Sequence, residues 1–357
     1  MRYILTIVEQ LDRAAHELST DHPINSRLAL MLIDNATELV LHRQCTDRLE
    51  SDDLWAGIHK ATQAIVRDHP EAAIDDDSTV VLLRPEQRSS IRGQHLNPKL
   101  HVLEEMGDLT GVERQFIATA HSYRNELYHV GLKHDPIIRA VAGQYFLLCC
   151  ELFVRMGDLS FFKHSYSSSD EYTSVARRYL PTRDGEIDFS SVDNGLLADK
   201  LRGALPDGLP DLSAVLADSA HKCILEVKRD FDFLVQENPF ELDTQKMLEV
   251  AQWQHDLAEA IQKEDLVGHW IDADYRESHA RIAADLEVDW KQRYAAIPIE
   301  SWTRRATAVG NETDPLKAMG RYRSLRKSME YLEESIMSAA ADLDQWIQME
   351  IDKARGK

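Results

Sequence analysis

Apolar residues recur along most of the chain at the three- and four-residue spacings that place them on one face of an α-helix. The most regular stripe lies within residues 112–130 and consists of Val112, Phe116, Ala120, Tyr123, Leu127 and Val130. Gly131 follows as a helix stop. The next predicted helix, residues 135–156, begins with Asp135 as a cap and Pro136 in its first turn.

The same periodicity predicts an all-α fold, because strand patterns are nearly absent. The other predicted helices cover residues 3–18, 26–45, 51–68, 196–205, 212–237, 244–264, 275–295 and 314–354. Residues 79–83 form the one β-like run, and they lie in a segment, residues 75–93, whose turn composition predicts a loop.

The predicted helix at residues 26–45 is apolar on most sides, which is typical of a helix at the centre of a bundle. Its polar exceptions Asp34, Glu38 and His42 recur every four residues, and Asn35 lies beside them. Residues four apart share one face of a helix. That face is either an ordinary solvent-exposed surface or a polar wall that lines a cleft.

A segment rich in Ser, Asp, Thr and Gly, residues 165–194, is predicted to link two domains. Residues 1–164 form the predicted N-terminal helical bundle. Residues 195–357 form a C-terminal long-helix, coiled-coil-like domain for sensing, dimerisation or partner docking. Its last helix carries a heptad-like seam of Tyr322, Leu325, Met329, Leu332, Ile336, Ala339, Leu343 and Trp346. The seam packs either inside its own bundle, the preferred interpretation, or against a second copy.

The composition narrows the possible functions. The chain has 61 acidic and 41 basic residues, so a protein that coats nucleic acid in general is disfavoured, although a local basic pocket is not.

The four Cys show no CxxC spacing, which predicts a reducing, cytoplasmic setting. No long uninterrupted apolar run and no secretion signal is evident, so we expect no membrane association. Because P-loop, GxGxxG and HExxH motifs are also lacking, we expect no cofactor and no metal.

One segment concentrates residues that can carry chemistry. Residues 123–129 read Tyr-Arg-Asn-Glu-Leu-Tyr-His, at the end of the most regular amphipathic helix. Its polar face presents the residues His121, Arg124, Asn125, Tyr128 and His129. A similar Arg-to-His spacing occurs at Arg88/His95 and Arg114/His121, so the spacing alone does not indicate a site. The prediction of a site at Arg124 and His129 depends on the helical context and on the adjacent Asn125.

Arg124-Asn125 followed by His129 resembles the R-x(4–6)-H motif of HEPN domains (higher eukaryotes and prokaryotes nucleotide-binding). Residues 27–39 also resemble an early helix of that family, and the resemblance covers about residues 1–160. It implies a small up-and-down helical bundle. Many members are metal-independent endoribonucleases of toxin–antitoxin, antiphage and CRISPR systems, whereas others are non-catalytic dimerisation or nucleotide-binding modules.

The resemblance implies roles for these residues. In metal-free RNA cleavage the 2′-hydroxyl attacks the adjacent phosphate, so His129 is expected to transfer protons and Arg124 to hold the phosphate. Asn125 is expected to orient His129 or to contact the substrate. The supporting or substrate-binding residues are Tyr128, His121, Asp34 and Glu38. His121 and His134 are alternative proton carriers, each better explained as a structural residue.

The expected partners follow from this chemistry. A homodimer would bring two Arg124/His129 pairs to one cleft. An antitoxin or another defence-system protein is a further expected partner. In family toxins controlled by a nucleotidyltransferase, a Tyr often lies two positions after the His, where this chain has Gly131. Control by nucleotidylation is therefore not expected.

A basic cluster in the C-terminal half is a possible RNA or partner patch, and it comprises Arg321, Arg323, Arg326 and Lys327. The alternative is a solvated helix balanced by Glu330, Glu333 and Glu334. The leading functional hypothesis is an endoribonuclease of a toxin or defence system. The alternatives are a non-catalytic HEPN-like module and a structural subunit of a larger complex.

Overall fold

The computed structural model describes residues 2–68, 82–129, 135–156, 175, 177–183, 186–188, 193–264 and 273–355. These residues confirm the all-α prediction. The helices are α1 Arg2–Leu18, α2 Pro23–Asp68, α3 Pro85–Arg92, α4 Leu96–Glu105, α5 Gly111–His129, α6 Asp135–Met156, α7 Asn194–Arg202, α8 Leu212–Glu237, α9 Thr244–Lys263, α10 Ala273–Asp289, α11 Ile299–Gly310 and α12 Pro315–Ala354. Among the described residues, strand occurs only in an antiparallel pair, Thr182–Arg183 with Glu186–Ile187.

The chain divides into two compact units. The first comprises Met1–Val215 together with Pro315–Gly320, and the second comprises Leu216–Asp314 together with Arg321–Lys357. In the first unit, α2 packs against α1, α5 and α6, and α7 packs against α6. The predicted linker, residues 165–194, lies mostly outside the described residues, and its role as a domain boundary stays a prediction.

Helix α2 is one continuous element of 46 residues, so the prediction of two helices at 26–45 and 51–68 was wrong. The connecting residues 46–50 contain neither Gly nor Pro, and nothing in them breaks a helix. Arg43 Nη2 also lies 2.7 Å from Asp47 Oδ1, an i,i+4 pair that supports this region. The N-terminal half is buried at Leu30, Ile33 and Leu41, which places it centrally in its unit as predicted.

Two short helices were not predicted. Helix α3 lies in the segment predicted as a loop; Pro85 opens it, and the backbone N–H of Arg84 donates to Gln87 Oε1 at 2.9 Å. Helix α4 buries Leu100 and Leu103. Of the β-like run, Leu82 and Leu83 belong to no strand, and residues 79–81 lie outside the described residues.

Helix α6 is long and apolar enough at Ile137–Met156 to cross a membrane by length and composition alone. The stretch is not an uninterrupted apolar run, because Arg139 and Glu151 lie within it. This stretch is 72% buried inside the protein, with Val141, Phe146 and Leu152 completely enclosed. Its apolar composition is thus explained by packing inside the protein.

In the second unit, the seam of α12 is buried within the chain from Tyr322 to Ala339. This burial matches the interpretation that the seam packs inside its own bundle. Beyond it, Trp346 is 40% exposed. Helix α10 ends at Asp289, earlier than predicted, and α11 was not predicted at all.

A buried amide explains why α10 stops. The Gln252 side chain of α9 is completely buried, and its Oε1 accepts from the backbone N–H groups of Arg293 and Tyr294 at 3.1 and 3.0 Å. Its Nε2 donates to the Tyr294 carbonyl at 2.9 Å. These bonds replace the helical bonds of the chain between α10 and α11.

We expect Gln252→Ala to lower the free energy of unfolding by about 2 kcal/mol, because two N–H groups and a carbonyl lose their partner. Urea unfolding followed by circular dichroism measures the change. Gln254→Ala, at an exposed position of the same helix, is the matched control and is expected to change stability by less than about 0.5 kcal/mol. Equal effects of the two variants would contradict the structural role of Gln252.

Candidate functional site

The candidate site lies on the polar face of α5, in the first unit. The helix opens with a reciprocal cap: the Thr110 N–H donates to Glu113 Oε2 at 2.7 Å, and the Glu113 N–H donates to Thr110 Oγ1 at 3.2 Å. Phe116, Ala120 and Tyr123 bury its apolar stripe. The opposite face therefore carries its polar residues toward α2 and solvent.

Asp34 of α2 is the buried centre of the site. Its side chain is completely enclosed, and its Oδ2 accepts from His121 Nδ1 at 3.0 Å and from Arg124 Nε at 2.8 Å. Its Oδ1 accepts from the Tyr145 hydroxyl of α6 at 3.0 Å. One carboxylate thus joins three helices, and both of its oxygens have donors.

Glu38 lies one helical turn from Asp34 and contacts the same two cations. Its Oε1 accepts from Arg124 Nη2 at 2.6 Å and lies 3.2 Å from His121 Nδ1. The Glu38 side chain is 37% exposed, whereas those of Arg124 and His121 are 20% and 19% exposed. Arg124 Nη1 also donates to Asn125 Oδ1 at 3.0 Å. The outer edge of the cluster is therefore open to solvent.

The protonation states follow from these contacts. Hydrogen bonds to Asp34 and then to Glu38 raise the pKa of His121 to about 9, against the opposing effect of burial. Burial raises the pKa of Asp34, but the hydrogen bonds and charges of His121 and Arg124 outweigh it and leave this pKa below its usual value. At neutral pH Asp34 is thus a carboxylate and His121 an imidazolium. Together with the formal charges of Glu38 and Arg124, the charges of the four side chains sum to zero.

We expect stability to depend on the charge of His121. Its folded pKa of about 9 exceeds the usual 6.5, so the stabilisation is complete below pH 6.5 and is lost as the pH rises through 9. The groups that face it are Asp34, Glu38 and Arg124. The free energy of unfolding of the wild type should therefore fall between pH 6.5 and about 9. The free energy of unfolding of His121→Ala should fall less over the same range, because the variant has no imidazole to titrate. Parallel pH profiles of the two proteins in urea titrations would contradict the assignment.

The structure brings together five of the predicted site residues, namely Asp34, Glu38, His121, Arg124 and Asn125. Helix α5 includes positions 128 and 129, but the side chains of Tyr128 and His129 lie outside the described part of the structure, as do Gly131 and His134. Asn35 and His42 are exposed. The polar face of α2 is therefore divided between residues that meet α5 and residues that meet solvent.

The sequence analysis did not identify Tyr145 as a site residue, and it gave His121 only a supporting or structural role. Tyr145 appeared only as one of the apolar positions of its helix, yet its hydroxyl is completely buried and donates to Asp34. The available signal was general: a buried Tyr hydroxyl needs a partner. Nothing in the local pattern identified Asp34 as that partner, because 111 positions separate the two residues.

Two clusters among the described residues have the donor types of a metal site. Asp34, Glu38 and His121 offer ligand atoms within 4.8 Å of one another, as do His255, Asp256 and Glu259. In the first, Arg124 already bridges both carboxylates. In the second, Asp256 accepts from Trp290 Nε1 at 2.8 Å and from the Tyr331 hydroxyl at 3.0 Å. Both arrangements are explained by ion pairs and hydrogen bonds within the protein.

The basic patch is partly neutralised. Arg321 Nη2 lies 2.7 Å from Glu312, and Arg326 Nη2 lies 2.9 Å from Glu333. Arg323 and Lys327 are exposed at the surface. The two ion pairs favour the interpretation of a balanced helix surface.

The fold and the cluster define an all-α protein with an ionic network between α2 and α5, to which the Tyr145 hydroxyl of α6 donates a hydrogen bond. Comparisons of the chain with models of known families, with curated proteins and with solved structures find no match.

Proposed function

We propose that this protein is a metal-independent endoribonuclease of a toxin or antiphage defence system, a HEPN-like protein that acts in the cytoplasm as a homodimer. The observation that supports this function best is the grouping of the partly exposed residues His121, Arg124 and Asn125 in the second half of α5. The same helix carries His129 one turn further on. A cation, an amide and two imidazoles on adjacent turns provide the groups that phosphodiester cleavage needs.

The proposed reaction proceeds by attack of the ribose 2′-oxygen on the adjacent phosphorus. His129 removes the 2′-hydroxyl proton as a general base, and the P–O5′ bond breaks as the 5′-oxygen accepts a proton. The products are a 2′,3′-cyclic phosphate and a free 5′-hydroxyl. Arg124 donates hydrogen bonds to the phosphate oxygens and stabilises the added negative charge.

His121 suits a different role from His129. Because its pKa is raised to about 9, it is an imidazolium at neutral pH and donates rather than accepts a proton. We assign it to charge stabilisation beside Arg124 or to protonation of the leaving oxygen. Asp34 holds both cations in place, and Asn125 orients the guanidinium through the contact with its Nη1.

The test is incubation of the purified full chain with single-stranded RNA in the presence of EDTA. We expect fragments that end in a cyclic phosphate and begin with a 5′-hydroxyl, which enzymatic end-labelling distinguishes from the products of metal-dependent nucleases. Native mass spectrometry of the same preparation should give twice the chain mass of 40.8 kDa. Intact RNA after prolonged incubation of a folded dimer would contradict the nuclease.

A second candidate function is a non-catalytic HEPN-like dimerisation or nucleotide-binding module. It is favoured by one observation, since Arg124 is held by two carboxylates and the cluster carries no net charge. On this alternative the C-terminal unit performs the activity or docks a partner protein. Measurement of the mass of the protein with and without a co-expressed neighbouring gene product tests whether it binds a partner. If the module is non-catalytic, we expect the RNA to stay intact in the EDTA assay.

A further inference from the structure

Glu38 is held less firmly than Asp34, although both carboxylates contact the same two cations. Asp34 is completely buried and also binds the Tyr145 hydroxyl, whereas Glu38 is 37% exposed and, among the described residues, pairs with Arg124 and His121. Removal of Asp34 from its donors would leave a buried charge without partners. Glu38 can instead rotate into water, where its charge is solvated.

Glu38 Oε1 occupies a position in which the oxygen of a bound anion would contact both cations. A single oxygen lies 2.6 Å from a guanidinium nitrogen and 3.2 Å from an imidazole nitrogen. Phosphate oxygens use the same charge-assisted bonds from Arg and protonated His. A carboxylate and a phosphodiester each carry one negative charge. Replacement of one by the other leaves the cluster neutral, so no buried charge is created.

We propose that the Glu38 carboxylate occupies an anion subsite, and that a phosphodiester of single-stranded RNA displaces it to bind Arg124 and His121. Glu38 is then an internal competitor that keeps the two cations neutralised until the ligand arrives. The identity of the ligand rests on the proposed function. The subsite itself requires only an oxyanion.

The test uses Glu38→Gln in the full chain, which removes the charge and keeps the shape of the side chain. The probes are inorganic phosphate and a short single-stranded RNA whose 2′-hydroxyls are all methylated, so that it cannot be cleaved. Isothermal titration calorimetry gives the Kd of each probe. We expect both probes to bind the variant about tenfold more tightly than the wild type, because an anion no longer competes with a carboxylate a few ångströms away.

The matched control is Glu50→Gln, which removes the same charge from an exposed position about 18 Å further along α2. It is expected to change either Kd by less than about twofold, because charge effects over that distance are screened. Glu38→Ala is a second variant without the carboxylate and should behave like Glu38→Gln. Thermal unfolding confirms that each variant is folded. Equal Kd values for the wild type, both Glu38 variants and the control would overturn the subsite.

The outcomes separate this inference from the proposed nuclease. If Glu38→Gln binds phosphate more tightly but the wild type does not cleave RNA, the subsite is supported and the proposed nuclease function is excluded. Cleavage that depends on Arg124, with no change of either Kd in the Glu38 variants, would support the nuclease and overturn the subsite. Tighter binding of phosphate but not of the methylated RNA would overturn the assignment of RNA as the displacing ligand.

Discussion

His129→Ala is expected to lower the rate of RNA cleavage by about 10²–10⁴-fold, the usual effect of removing a proton-transfer group. Arg124→Lys is expected to lower it by about 10²–10³-fold, because Lys keeps the charge but loses the two-pronged donation to phosphate. Initial rates on a fluorescent single-stranded RNA in EDTA measure both. Arg124→Lys is preferable to Arg124→Ala, since it leaves Asp34 and Glu38 with a cation nearby.

The controls for these rates come from exposed residues of the same types. His101→Ala on α4 and Arg92→Lys on α3 are expected to keep the wild-type rate within about twofold, because surface substitutions of this kind leave the fold intact. A His129→Ala protein that cleaves as fast as the wild type would exclude His129 as the base. If His121→Ala then abolished cleavage in a folded protein, the proton that the leaving oxygen accepts would be assigned to His121.

The second large effect is on stability: Asp34→Asn is expected to lower the free energy of unfolding by about 3 kcal/mol. The completely buried carboxylate accepts hydrogen bonds from His121, Arg124 and Tyr145. An amide provides one acceptor oxygen in place of two and no charge, so the imidazolium and the guanidinium lose most of their compensation. Urea unfolding of the full chain, monitored by far-ultraviolet circular dichroism, measures the loss.

Asp53→Asn is the matched control, because it removes a carboxylate from the same helix in an exposed setting. Asp53 pairs with Arg88, but its side chain is 62% exposed. The expected loss is less than about 1 kcal/mol, as for other surface ion pairs. Similar losses for the two variants would show that burial of Asp34 does not set the strength of the network.

Prediction from the sequence was most accurate where local signals are complete. Helices α5, α6, α8 and α12 carry caps, stops or long apolar stripes, and their bounds agree with the predicted ones to within about two residues. Helix α3 was missed because part of what holds it lies outside its own segment. Asp52 of α2 accepts from the Leu83 N–H at 2.6 Å and pairs with Arg88.

For the site, helical periodicity determined which polar residues share a face: Asp34 with Glu38 on one helix, and His121 with Arg124 and Asn125 on another. Only the tertiary structure decided that these two faces meet, because His121 and Arg124 lie 87 and 90 positions from Asp34. Periodicity arises from hydrogen bonds between residues four apart and carries no information on which helix packs against which. Burial, and with it the raised pKa of His121 and the neutral charge of the cluster, is a property of that packing.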